Sequence, residues 1–171
     1  MNKTSFKKGF SFPEILVYIA IMTTILLIVV NIVFFVSKSI RQSSSYNNIR
    51  NSAVFGLEKI KKEVMSSYGI DLNQSVFDSS NGVLVLNSKD ENDISKTIKF
   101  YLDDGLVKMD IDGDFASTVT YSDTRVLKLF FVPIDTVNSK GVKIEMGISG
   151  EGTNFLVAED FYSTVVLRNS Y

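Results

Sequence analysis

The sequence predicts an α+β protein, with one long N-terminal helix packed on a C-terminal antiparallel β-sheet. Three observations carry this. The run from Ile15 to Val36 contains no charged residue. Beyond it, apolar side chains recur at Tyr46, Ile49, Ala53, Leu57, Ile60 and Val64, the steps of three and four that mark one face of a helix. From Gly82 onward the pattern becomes short β-branched and aromatic runs separated by turn residues, which is the signature of strands.

The helix begins at Ser11-Phe12-Pro13-Glu14. Serine suits the N-cap, glutamate three residues on completes a capping box, and proline in the first turn has no N–H to leave unpaired. The charge-free run that follows is long enough to cross a bilayer, because about 20 residues at a rise of 1.5 Å span the ~30 Å hydrocarbon core. No glycine or proline occurs between Glu14 and Asn51, so the helix continues through the polar stretch from Ser37 to Asn48. Its second half is amphipathic, with Arg50, Glu58, Lys59, Lys62 and Glu63 opposite the apolar stripe. Gly56 costs about 1 kcal/mol relative to alanine but does not end the helix. The helix is expected to stop between Ser66 and Gly69, with Gly69 as a left-handed C-terminal cap.

Strands are expected at Val83 to Leu86, Thr97 to Leu102, Leu106 to Ile111, Val126 to Val132, Val142 to Ser149 and Phe161 to Leu167. Asp103-Asp104-Gly105 is a hairpin signal, because Asp and Gly tolerate the positive φ that tight hairpin turns require. Pro133 to Gly141 is expected to connect the next antiparallel pair. Asn87 to Asp93 and Ser149 to Thr153 read as polar loops.

The leading end of the helix carries the functional signal. Lys3, Lys7 and Lys8 precede Gly9-Phe10-Ser11-Phe12-Pro13-Glu14, and the apolar run follows at once. Glu14 sits where the helix enters lipid, and a carboxylate there is costly without a partner. A secretory signal peptide has an apolar core of roughly 7–15 residues and a small-residue cleavage site, and neither is present. A plain signal anchor fits the length but gives no reason for Gly9-Phe10 or for Glu14.

This arrangement resembles the N-terminal cleavage and methylation segment of type IV prepilins and type II secretion pseudopilins. The resemblance implies a leader over residues 1–9, cut after Gly9 by a prepilin peptidase, with Phe10 as the new and N-methylated first residue. Glu14 then falls on the family's fifth-position glutamate. Pro13, where an aliphatic residue is commoner, and Tyr18, within the aliphatic run, depart from the pattern. The implied organisation is a membrane or filament-core helix over 10–36, its amphipathic second half over 37–69, and a β-rich extracytoplasmic domain over 70–171. The implied fold is pilin-like. The implied partners are the peptidase, other pilin or pseudopilin subunits, and the membrane. The implied role is that of a structural, minor subunit of a pilus or pseudopilus. The closing run Phe161 to Asn169 is similar to the ends of larger minor pseudopilins. The alternative is a single-pass, membrane-anchored extracellular binding module that does not polymerise. Glu14 has two compatible roles: capping the helix, or pairing with the Phe10 amine of a neighbouring subunit and so offsetting the cost of burying both charges.

Composition narrows the function classes. The chain has 171 residues, with 18 Lys plus Arg against 19 Asp plus Glu, enough for one domain beyond the membrane segment. Loss of the leader takes away three lysines and leaves a mildly acidic chain without a basic stripe, which argues against nucleic acid as the primary partner. The lysines before the apolar run place the N-terminus in the cytoplasm by the positive-inside bias; Lys38 and Arg41 beyond it weaken that bias without reversing it. Cysteine and histidine are absent, so no disulfide, thiolate chemistry or histidine-based metal or acid–base site is available.

Catalytic patterns are lacking as well. No nucleophile–base pair or glycine-rich phosphate loop stands out, so no enzyme and no cofactor is expected. Asp110, Asp112 and Asp114 form a weak calcium candidate, since calcium takes several carboxylate oxygens. Strand alternation would set the three on one face. Counting from Asp110, however, Phe115 and Tyr121 stand where an EF-hand loop needs Gly and Glu, and a solvated strand end with a turn explains the aspartates equally well. Tyr101 and Tyr162 read as sheet aromatics that could also meet a partner.

Overall fold

The computed structural model describes residues 11–136, 139–150 and 158–168. The chain is α+β: helix α1 (Phe12–Ser66) is followed by β1 (Gly69–Ile70), β2 (Leu84–Lys89), β3 (Ser95–Asp103), β4 (Leu106–Ile111), β5 (Asp114–Thr118), β6 (Thr124–Thr136), β7 (Ser139–Gly150) and β8 (Ala158–Val166). It divides into two compact units, Met1–Gln42 and Ser43–Tyr171, and α1 runs through both.

In the first unit every described residue from Ser11 to Val36 is exposed. The segment is apolar on all faces, with a mean hydropathy of 2.8 over its most apolar stretch. This is the one helix among the described residues that is long and apolar enough to cross a membrane. Its few polar side chains are satisfied within the helix. Thr23 Oγ1 donates to Ile19 O at 2.7 Å, Thr24 Oγ1 to Ala20 O at 2.8 Å, and Asn31 Nδ2 to Leu27 O at 2.9 Å. Such bonds to the preceding turn let hydroxyl and amide groups sit in lipid without an unpaired polar atom.

In the second unit the strands form a five-stranded sheet, ordered β1-β2-β3-β4-β5, and a three-stranded sheet, ordered β6-β7-β8. All strand pairs are antiparallel. One hydrophobic core joins Ile49, Ala53, Leu57, Ile60 and Val64 of α1 to Leu84, Leu86 and Phe100 of the larger sheet and to Leu129, Phe131, Ile144 and Met146 of the smaller. The predicted helical stripe is therefore the buried face, apart from Tyr46, which is 46 % exposed. Gly56 lies on the same buried face, where an added Cβ would meet Thr120 Cγ2 at 3.3 Å and Met146 Cε at 3.5 Å.

The expected C-terminal cap differs. Gly69 is not left-handed but pairs with Asn87 in β1. The helix instead ends on serines: Ser66 Oγ donates to Glu63 O at 3.0 Å and Ser67 Oγ to Val64 O at 2.7 Å. The two hydroxyls add to the Ser67 N–H, which also donates to Glu63 O at 3.0 Å and to Val64 O at 3.3 Å, so the last turn closes on its own serines.

Strand bounds also shift. Asn87 to Lys89 belong to β2 rather than to a loop, Ser149 lies in β7 as the strand pattern predicts, and Gly150 belongs to β7 as well. The segment from Pro133 to Gly141 is not a connector, because β6 runs to Thr136 and Pro133 pairs with Val142. Leu129 donates its N–H away from β7, to Ser80 O at 2.8 Å. By strand alternation position 133 faces the same way, so the N–H that proline lacks is not needed by β7. The Asp-Gly hairpin forms as expected, with positive φ at Asp104 (50°) and Gly105 (74°).

Candidate functional site

The site singled out by the sequence is the leading end of α1. Gly9 and Phe10 lie outside the described residues. Glu14 sits in the first turn of the helix and is exposed. Ser11 O accepts the N–H groups of Glu14 at 3.0 Å and Ile15 at 3.2 Å. Ser11 N–H in turn donates to Glu14 Oε2 at 3.5 Å, the return bond of a capping box. Tyr18, one turn later, donates its hydroxyl to Glu14 Oε1 at 3.5 Å. Both side-chain contacts are long, so the carboxylate is oriented but retains acceptor capacity.

Glu14 is the one charged residue between Ser11 and Ser37. It lies at the positive end of the helix dipole. A carboxylate at the rim of an apolar helix can accept from a cationic donor. Tyr18, which departs from an aliphatic pattern, serves here as a hydrogen-bond partner for that carboxylate. The sequence pattern gave one cue to this contact, the spacing of four residues that puts both side chains on one face of a helix.

The three aspartates are separated. Asp110 lies in β4 and accepts the Tyr101 hydroxyl at 3.0 Å. Asp112 and Gly113 turn the chain with positive φ, 55° and 93°, into β5, where Asp114 lies. Asp112 Oδ1 accepts the Thr97 N–H at 2.7 Å, across the hairpin. Among the described residues no group of three or more carboxylates is placed to hold a metal ion. Burial, and then the bond to Asp110, holds the Tyr101 hydroxyl above its ordinary pKa.

A second feature lies at the C-terminal end of α1. An open groove of about 650 Å³ is lined by Phe55, Lys59, Lys62, Met65 and Arg168, among others. Lys59 pairs with Glu63 at 2.9 Å and Lys61 with Glu58 at 3.4 Å. These are surface pairs, worth little to stability. The groove sets the cations of Lys59, Lys61, Lys62 and Arg168 beside Glu58 and Ser66.

No protein-family model, no curated protein and no solved structure matches the chain.

Proposed function

We propose that the chain is a pilin-like structural subunit, minor in its filament, of a type IV pilus or type II secretion pseudopilus. One observation carries this reading. A single helix of 55 residues is apolar and uncovered on every face in its first part and packed into a domain core in its second. An uncovered apolar helix needs lipid or other helices around it. A subunit that waits in the membrane and then enters a helical filament core uses both in turn.

In this reading a prepilin peptidase cuts between Gly9 and Phe10 at the cytoplasmic face and methylates the Phe10 amine. The β-rich domain lies outside the membrane. On assembly, apolar helices bundle and Glu14 of one subunit meets the Phe10 amine of its neighbour. Capping and pairing are compatible, because the weak bonds from Ser11 and Tyr18 leave lone pairs on Glu14 for the amine.

The substitution Glu14→Gln separates capping from pairing. Glutamine also serves in a capping box, so the loss to the helix is about 1 kcal/mol or less. If the carboxylate pairs with a buried amine, removing it leaves an uncompensated cation, which costs roughly 3–5 kcal/mol. We expect the variant to insert and be processed normally and to be missing from sheared filaments, at membrane levels equal to wild type. Normal incorporation would contradict the pairing role.

A further inference from the structure

The two sheets of the second unit leave edges, and an uncovered edge offers unpaired backbone groups to another chain. Three of the edges are blunted. β1 is only two residues long. β5 is five residues long and follows a register break at Met109/Asp110. The outer edge of β6 is covered: Asp78 N–H donates to Phe131 O, Gly82 N–H to Leu129 O, Leu129 N–H to Ser80 O, and Val126 N–H to Gly105 O.

Among the described residues the edge of β8 has no such protection. Its nine residues pair with β7 in unbroken register, and no described residue pairs with its other side. Leu167 donates its N–H to Lys140 O at 2.9 Å. By antiparallel alternation, Val165, Ser163, Phe161 and Glu159 therefore also turn their backbone groups toward β7. Asp160, Tyr162, Thr164 and Val166 turn theirs outward, and all four have exposed side chains. From Phe161 to Val166 the strand holds no charge, glycine or proline, none of the devices by which exposed edges are usually kept apart.

We infer that the outer edge of β8 pairs with β8 of a second copy of this chain, antiparallel, about a two-fold axis at Thr164. The edge is complementary to itself in this register, which favours a second copy as the occupant. With Thr164 opposite Thr164, Tyr162 faces Val166 of the other copy, a contact that occurs twice. Aromatic to β-branched and threonine to threonine pairs are among the favourable cross-strand combinations. In this register outward-facing residues oppose outward-facing ones, so Thr164–Thr164 and Tyr162–Val166 are hydrogen-bonded pairs, and the pairs between them are the non-hydrogen-bonded ones of an antiparallel ladder. The two small sheets become one six-stranded sheet. Asp160 is already held at the edge by Lys128, which reaches it at 2.9 Å across Gly147. A Cβ at Gly147 would lie 2.8 Å from Lys128 Cγ and 2.9 Å from Asp160 Oδ1. This inference rests on the sheet alone and is independent of the filament reading.

The absence of cysteine makes the test direct. The full chain is expressed in membranes with Thr164→Cys, or with Thr118→Cys on the β5 edge as the control, and oxidised with copper phenanthroline. Directly opposed, hydrogen-bonded residues lie about 5.5 Å apart at Cα, within disulfide range. We expect a homodimer from Thr164→Cys, several-fold more abundant than from Thr118→Cys. Adding Val166→Lys, which places a charge on the exposed edge, or Tyr162→Pro, which removes an outward N–H that β7 does not use, should reduce it to the control level. Equal yields at the two edges, persistence of the dimer with both blocking changes, or an adduct with a different protein would each overturn the inference.

Discussion

Ser52 fastens α1 to the segment that precedes β6. Its hydroxyl is fully buried, lies 2.8 Å from Thr124 Oγ1 and accepts the Tyr121 N–H at 3.0 Å. Ser52→Ala should lower stability by about 1–3 kcal/mol, because it leaves the Tyr121 N–H without its acceptor. The urea midpoint reports this, and an unchanged midpoint would contradict it. Asp90 organises the β2–β3 turn by accepting the Ile94 and Asn92 N–H groups, both at 2.8 Å. The bond from Ile94, foremost, holds its carboxyl below the ordinary value of 3.8. Its contribution is thus present above that value and fades as pH falls through the lower folded value. Asp90→Asn should flatten the acid limb of stability between those two values; an unaltered limb would count against the bonds. Lys128 runs the other way, raised chiefly by its bond to Glu145 and then by Asp160. Its stabilisation is complete below the ordinary lysine value of 10.5 and is lost as pH rises through the still higher folded value. Glu14 was legible in the sequence because a lone carboxylate beside an apolar run is conspicuous. Ser52 was not, because a serine in the middle of a helix resembles a surface residue until the loop it bonds, some seventy positions away, is in place.

The elements that could be read were those with a strong local signal. The stripe from Ile49 to Val64 has helical period, and Asp104-Gly105 has the φ tolerance that a two-residue hairpin demands. Gly105→Ala should therefore cost on the order of 1–2 kcal/mol for a left-handed alanine. Crowding adds to this, since the new Cβ would lie 2.8 Å from Arg125 Cγ. A loss of thermal stability without change in secondary structure is the expected outcome; full stability would show that the turn adapts. Leu57→Asp places an unpaired charge in the core and should unfold the second unit, with loss of cooperative melting. Elements set by distant partners were less legible. Pro133 is strand because its missing N–H points away from β7, which no local rule reveals. β1 exists because Gly69 and Ile70 meet Asn87 and Leu86, and serine hydroxyls end α1 where a glycine cap was expected.

At the scale of the molecule the sequence divides by solvent. Among the described residues the first unit has no buried residue in its apolar run, whereas Ser43–Tyr171 holds all the buried hydrophobic residues. That second unit should fold without the first. A chain begun at Ser43 is expected to be soluble and to unfold in one cooperative transition in urea, and insoluble or non-cooperative material would contradict the division. The α+β class followed from periodicity alone. The split of the strands into two sheets did not, because it depends on which side of β6 is covered by the segment from Asp78 to Gly82. The proposed role turns on a single bond near the N-terminus, between Gly9 and Phe10. The full chain, produced in cells that contain a prepilin peptidase and recovered from their membranes, can be weighed intact by mass spectrometry. A mature chain that begins at Phe10 with a methylated amine, and that is lost on Gly9→Val, is the expected result. A chain that keeps residues 1–9 in the presence of the peptidase, or that begins elsewhere, would contradict a pilin-like subunit and leave a plain membrane anchor.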